Sequence, residues 1–260
     1  MPLEQFAFGI GSLFAVRTDI ANPTPTRFGT VQDVTVDFAF TTKSLTGQYQ
    51  APVVAARAGL KITGKAKAAK ISARTFNDVF FGQTLATGSQ IQILDEGGTA
   101  GTAIPTTPFQ ITAANGSSMS TGSPGIDLGV YNVATGVQMT RVATTPTAGQ
   151  YSFASATGIY TFAAADNVSG VKVAISYTYQ QATTGGRITA YNQLMGAAPT
   201  FQLYLGESFQ ANKQQLTLYS VIATKLALNF KNEDFEVPEF DFEAYCDSQN
   251  RFFDFSNDLS

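Results

Sequence analysis

Residues 59–84 read GLKITGKAKAAKISARTFNDVFFGQT, and a change of period inside this stretch decides the fold. From Gly59 to Ala69 the residues alternate. Leu60, Ile62, Gly64, Ala66 and Ala68 point one way, and Lys61, Thr63, Lys65 and Lys67 the other, as on a half-buried strand. Then the period lengthens. Ser72 is placed to cap a helix, and Phe76, Val79 and Phe80 follow i, i+3, i+4 spacing, with Leu85 on or just past the same face. Gly82 and Gly88 are candidate stops. The spacing predicts one amphipathic helix, about 72–84, laid by its Phe face on a sheet. No other segment has a strong helical pattern.

Upstream, Val31, Asp33 and Thr35 alternate with Gln32, Val34 and Val36, and the run continues to Phe40 as a strand. Thr41–Gly47 is turn-like. Gln48–Val54 is extended again, with Pro52 arguing for an edge. The expectation is a long hairpin over 31–54. Downstream, residues 88–185 are rich in Thr, Gly, Ala and Ser and poor in charge. Short β-like runs recur there: Ile91–Leu94, Phe109–Thr112, Gly129–Val133, Val137–Val142, Tyr151–Phe153, Gly158–Phe162 and Val171–Tyr179. The stretch 113–125 (AANGSSMSTGSPG) reads as a flexible loop. Further strands are expected at Arg187–Leu194, Thr200–Leu205, Gln215–Val221, Thr224–Phe230 and EFDFEAY (239–245), with a short return at Phe252–Phe255 after the turn at 247–250. The fold class is mainly β: a sandwich or barrel with one flanking helix. We read 1–260 as one domain, with 88–185 either part of its core or an added β subdomain.

Composition narrows the function. Charged residues are 13% of the chain, against roughly 25% in an ordinary soluble domain. Such a surface is either extracellular in style or covered by neighbouring subunits. Sixteen basic and nineteen acidic residues give a net charge of −3. That is the wrong sign for gripping phosphates, though it suits DNA passing through a non-adhesive lumen. There is no His, which excludes Ser-His-Asp and Cys-His catalysis and every His-ligated metal site. The single Cys246 excludes an intramolecular disulfide and reads as a small apolar residue in an aromatic strand. The apolar run Phe6–Val16 lacks a basic segment before it and is far short of the roughly 20 residues a membrane span needs. We expect no signal peptide, no membrane insertion, and synthesis in the cytoplasm.

Two charged ladders are the main candidates for chemistry. Glu239, Asp241 and Glu243 share one strand face, about 6.8 Å apart in succession. That spacing suits an inverting glycosidase, and three carboxylates can also hold Ca²⁺ or Mg²⁺. A like-charged strand face is more often solvated or paired with basic residues. Lys61, Lys65 and Lys67 form the opposite ladder. Arg57–Arg74 holds six basic residues and no acid, while Lys231–Ser260 holds nine acids and two bases. The two regions are expected to pair, within one subunit or across an interface and at least partly between subunits, rather than to be solvated independently or to touch DNA, unless the acidic face lines a lumen. Gly9-Ile10-Gly11 and Gly64-Lys65 are too short to serve as nucleotide loops. The hairpin tip, Lys43, Ser44, Leu45, Thr46, Gly47, Gln48 and Tyr49, carries two large apolar side chains with few charges, and is expected to be an inter-subunit contact loop.

Several stretches resemble the tail tube, or major tail, proteins of long-tailed bacteriophages. They are FGTVQDV at Phe28–Val34, the KSLTGQ turn at Lys43–Gln48 followed by Pro52, and GKAKAAKI at Gly64–Ile71 leading into the Phe-rich helix. GVYNVATG to ISYTY (Gly129–Tyr179) and NEDFEVPEFDFEAYCDSQNRFFDF (Asn232–Phe255) are similar to the same family. The resemblance implies subunits that share an inner sheet in a ring, commonly hexameric. Rings stack into a tube around a lumen that conducts double-stranded DNA without specific binding, and hairpins and terminal arms bridge one ring to the next. It implies a tape measure protein and other tail proteins as partners, a place in the virion tail, and no catalytic residue, metal or cofactor. The competing readings are another virion component (a capsid decoration or tail terminator protein), a β-sandwich carbohydrate-binding or adhesin module, which lacks its usual Trp platform here, and a carboxylate-only hydrolase.

Overall fold

The computed structural model describes residues 11–258 apart from 71, 210, 211, 229, 231, 234 and 236, so Phe6–Ile10 of the N-terminal apolar run and most of Gly9-Ile10-Gly11 lie outside the described residues. The chain is mainly β, with antiparallel sheets and few helices. It divides into two units, one built from the residues up to Leu85 and from Ile188 onward, the other from Ala86–Arg187. These bounds fall two residues outside the stretch 88–185 that composition sets apart. In chain order come β1 (Ser12–Arg17), β2 (Thr26–Thr46), β3 (Pro52–Lys70) and α1 (Ala73–Phe76), which runs into a π-helical turn (Asn77–Phe81). The second unit follows with β4 (Ala86–Glu96), β5 (Thr102–Ala103), β6 (Gln110–Thr112), β7 (Ile126–Asn132), β8 (Val137–Gln138), β9 (Thr140–Arg141), β10 (Gln150–Ala154), β11 (Ile159–Phe162), α2 (Ala164–Val168) and β12 (Lys172–Arg187). The first unit resumes with β13 (Phe201–Phe209), β14 (Asn212–Ala227), β15 (Glu239–Tyr245) and β16 (Phe253–Asp258).

In the first unit hydrogen-bonded neighbours run β13, β1, β2, β3, β15, β14, and β14 pairs again with β13. Six antiparallel strands therefore close a barrel, which removes the exposed edges of an open sheet. β16 continues the lane of β15 along the same edge of β14: β15 pairs with Ser220–Ala227 and β16 with Lys213–Leu218. The alternation read from the sequence sets the interior. Ile62, Ala66 and Ala68 of β3 and Phe240, Phe242 and Ala244 of β15 are buried with Leu13, Phe28, Phe201, Leu203 and Leu218. Phe28 stacks on Phe240 at 4.9 Å between ring centroids, and Phe80 meets Phe240 edge-on at 6.0 Å. Each fully buried Phe or Leu contributes about 1.5–3 kcal/mol.

Register corrects the sequence reading at several points. A bulge at Gln32 lies between Val31↔Ala68 and Asp33↔Lys67, so Val31 joins Val34 and Val36 against the core instead of sharing a face with Asp33. β2 runs on to Thr46, and the turn is at 47–51 rather than Thr41–Gly47, because the β-branched run Thr41-Thr42 pairs with Gly59 and Arg57. The helix stops at Phe81, not 84. Ser72 does cap it, accepting from Thr75 N at 3.1 Å, but the last turn widens and Gly82 N closes on the Asn77 carbonyl at 2.7 Å. Gly82 takes the left-handed cap, φ 59°, and Leu85 is left exposed. Gln215–Val221 and Thr224–Phe230 fall largely on one strand, β14, bulged at Thr224, which ends at Ala227. Arg187–Leu194 is not a strand beyond Arg187: residues 188–194 have no pairing partner among the described residues. Cys246 lies just past β15 and is exposed.

The second unit is a small sandwich of two sheets, β4-β12-β7-β8 with β5 on β12, and β6-β11-β10-β9. Val130, Ile175 and Tyr177 of the first meet Ile111, Tyr151 and Tyr160 of the second in one core. The expected strand Val137–Val142 is split. Met139 turns into the core, and β8 and β9 on either side of it join different sheets. The stretch 113–125 is tied down: Ala113 and Met119 are buried, Ala113 N donates to the Gly158 carbonyl at 2.9 Å, and Gly125 N donates to the Ser155 carbonyl at 2.8 Å. α2 is five residues long, too short to leave a helical period in the sequence.

Candidate functional site

The hairpin arm is built by pairing alone. From Ala39 opposite Lys61 out to Thr46 opposite Pro52, β2 and β3 pair only with each other among the described residues. At about 3.3 Å per residue this is a ribbon of roughly 25 Å. Lys43, Ser44, Leu45 and Thr46 end β2, and Gly47, Gln48 and Tyr49 form the turn. All seven are exposed. Leu45 is 66% exposed and Tyr49 77% exposed, and Phe40, Val53 and Val54 are exposed beside them. Arg57 lies over the Phe40 ring at 4.1 Å, which gives the ribbon one internal brace. A two-stranded ribbon is at best marginally stable in water, so this arm is a poor design for open solvent.

The two charged ladders meet on the outside of the barrel. β15 pairs with β3 so that Glu239 faces Lys67, Asp241 faces Lys65 and Glu243 faces Thr63. Lys61 Nζ lies 3.5 Å from Glu243, and Lys65 and Lys67 lie 4.0 and 3.8 Å from Glu239. Asp33 and Lys225 extend the pattern, opposite Lys67 and Asp241. The ladders thus pair inside one subunit. One oxygen of Asp241, Oδ1, is enclosed without a hydrogen-bond partner among the described residues. Glu239 and Glu243 lie beside lysines, and Asp241 lies opposite Lys65 and Lys225, so each carboxylate has a basic neighbour.

The second unit holds functional-looking groups that the sequence reading passed over. Asp127 is the hub: its side chain is 3% exposed, and it accepts from Tyr151 Oη at 2.8 Å, Tyr160 Oη at 3.2 Å and Gly129 N at 3.1 Å, with Arg141 Nε 3.6 Å away. Burial, and then the adjacent carboxylate, push the Tyr151 and Tyr160 phenols far above their ordinary range. Glu96 accepts from Tyr177 Oη and from Ala114 N, and Asp166 accepts from Gly149 N at 3.0 Å. The signal was present in the sequence: Asp127 and Asp166 stand alone in a stretch nearly free of charge, and a carboxylate that is buried there needs hydrogen-bond partners. Their partners are core tyrosines and backbone amides, which is structural chemistry.

Among the described residues, no group of three or more His, Cys, Asp or Glu is arranged to hold a metal ion, and no helix is long and apolar enough to cross a membrane. No family model matches the chain, and no curated protein matches it.

Proposed function

We propose that the chain is a structural subunit that polymerises with copies of itself, as the tail tube protein of a long-tailed bacteriophage. The observation that carries this reading is the bare β2–β3 arm with Leu45, Tyr49, Val53 and Val54 exposed, which asks for cover from another subunit. The resemblance of Phe28–Val34, Lys43–Gln48, Gly64–Ile71 and Asn232–Phe255 to that family supports it, and so does the low charge of the whole chain. On this reading rings, commonly of six subunits, share an inner sheet and stack around a lumen through which double-stranded DNA passes without specific binding. The tape measure protein and other tail proteins are the partners. The subunit works in the virion tail, is made in the host cytoplasm, and has no catalytic role. Electron microscopy of the purified full-length chain over a concentration series tests this. Rings or hollow tubes are expected, and a monomer at every concentration would overturn it.

A further inference from the structure

We infer that the second unit carries a saccharide-binding cleft between Tyr131 and Leu94, sized for a neutral disaccharide. The cleft has a volume of about 480 Å³ and is lined entirely by residues of the Ala86–Arg187 unit. That volume lies within the roughly 300–1,000 Å³ typical of small-ligand sites. The inference is independent of the assembly reading.

The sheet shapes the cleft. Ala174 of β12 pairs directly with Tyr131 of β7, so the smallest apolar side chain forms a floor beside an aromatic wall. The opposite wall comes from a bulge in β4. Between Ile93↔Tyr177 and Glu96↔Ile175, two residues, Leu94 and Asp95, oppose the single Ser176. A bulge re-aims side chains, and here it delivers an apolar and a charged group to the same cleft. Asp95 holds a left-handed backbone, φ 47°, a conformation that costs a non-glycine residue about 1–2 kcal/mol. It is fixed there by its N donating to Ser176 Oγ at 3.0 Å and by Ser176 Oγ donating to Asp95 Oδ1 at 3.2 Å.

The polar groups are oriented but not used up. Among the described residues Asp95 Oδ2 takes no hydrogen bond. Asn132 Oδ1 accepts from Ala134 N at 3.0 Å, which leaves its amide nitrogen as a donor. Thr99 is also among the lining residues. Leu94 is 72% exposed, an unusual outlay of apolar surface on the outward side of a sheet. An apolar wall, an aromatic face, one carboxylate and one amide together fit a pyranose, whose C–H face stacks on a ring and whose hydroxyls need both acceptors and donors. No Lys or Arg lines the cleft, so an anionic ligand would meet the Asp95 carboxylate with nothing to offset it.

The test is calorimetric titration of the full-length chain with cellobiose, maltose, lactose and N,N′-diacetylchitobiose. At least one should bind with a Kd near or below about 1 mM. Tyr131→Ala, Asp95→Asn and Leu94→Glu should each weaken that binding about tenfold or more, while Tyr131→Phe keeps the ring and most of the affinity. Val168→Ser, on exposed α2, should change nothing. Thermal melts check that each variant folds, and if Tyr131→Ala does not, Leu94→Glu at its exposed position decides alone. Failure of all four sugars to bind, or binding that survives Leu94→Glu, overturns the inference.

Discussion

The ring of Phe242 lies against Gly64: a methyl group added at Gly64 would sit 2.3 Å from Phe242 Cζ and 2.6 Å from the Thr35 carbonyl oxygen. The two residues are directly opposed in the β15–β3 register, and both face the barrel interior. The absent side chain is what lets a large ring fill the centre of a narrow barrel. Gly64→Ala is expected to destabilise the chain by about 1–3 kcal/mol through overpacking. Urea unfolding measures it, and an unchanged midpoint would mean that the interior has slack.

The charged ladders on the other face of the same strands make a weaker claim on stability. The lysines are well exposed, so each pair contributes only about 0–1 kcal/mol. Reversing Glu239, Asp241 and Glu243 to Lys replaces attraction by like charges across the strand, and should cost about 1–2 kcal/mol in total. Reversing Lys61, Lys65 and Lys67 to Glu in the same chain should restore most of it, and added salt should shrink the difference. A triple reversal as stable as the parent, with no recovery in the sixfold variant, would show that the observed pairing is incidental.

What the sequence revealed, and what it hid, follows from the range of the forces involved. Alternation is local, so the inward set Ile62, Gly64, Ala66, Ala68 and the outward set Glu239, Asp241, Glu243 are both legible in the sequence. The N-cap at Ser72 was legible for the same reason. Closure of the barrel was not, because it depends on β14 offering one edge to β13 and the other to β15 and β16, which are near and far in the chain. Bulges at Gln32 and at Leu94-Asp95 were hidden too, since an inserted residue leaves no mark in composition. Hence the bulge beside Tyr131 was not foreseen, while the hairpin that exposes Leu45 and Tyr49 was.

Alkaline pH should act on the second unit through its buried phenols. Tyr151 and Tyr160 have folded pKa values raised by burial and by Asp127, while in the unfolded chain they ionise near pH 10. Above about pH 10 the unfolded state holds fewer protons than the folded one, so stability falls as pH rises, and below it the full contribution is present. Thermal melts between about pH 8 and 11 should show this decline, and the double variant Tyr151→Phe, Tyr160→Phe should show a shallower one. A melting temperature flat across that range in the parent chain would contradict it.

The arm offers the most direct test of assembly. Residues 39–61 of the β2–β3 ribbon pair only with each other among the described residues, and the barrel uses β2 and β3 on the other side of that point. Removing 42–48 should therefore leave a barrel that melts like the parent. It also removes Leu45, whose burial in an interface would contribute about 1.5–3 kcal/mol per contact. If the parent assembles as proposed, the deletion is expected to remain monomeric under the same conditions. The milder Leu45→Asp should raise the concentration needed for assembly about tenfold or more. Sedimentation and electron microscopy of the three proteins decide the matter. Normal tubes from the deletion would remove the arm from any role in assembly, and a deletion that no longer folds would show instead that the ribbon is part of the barrel's own stability.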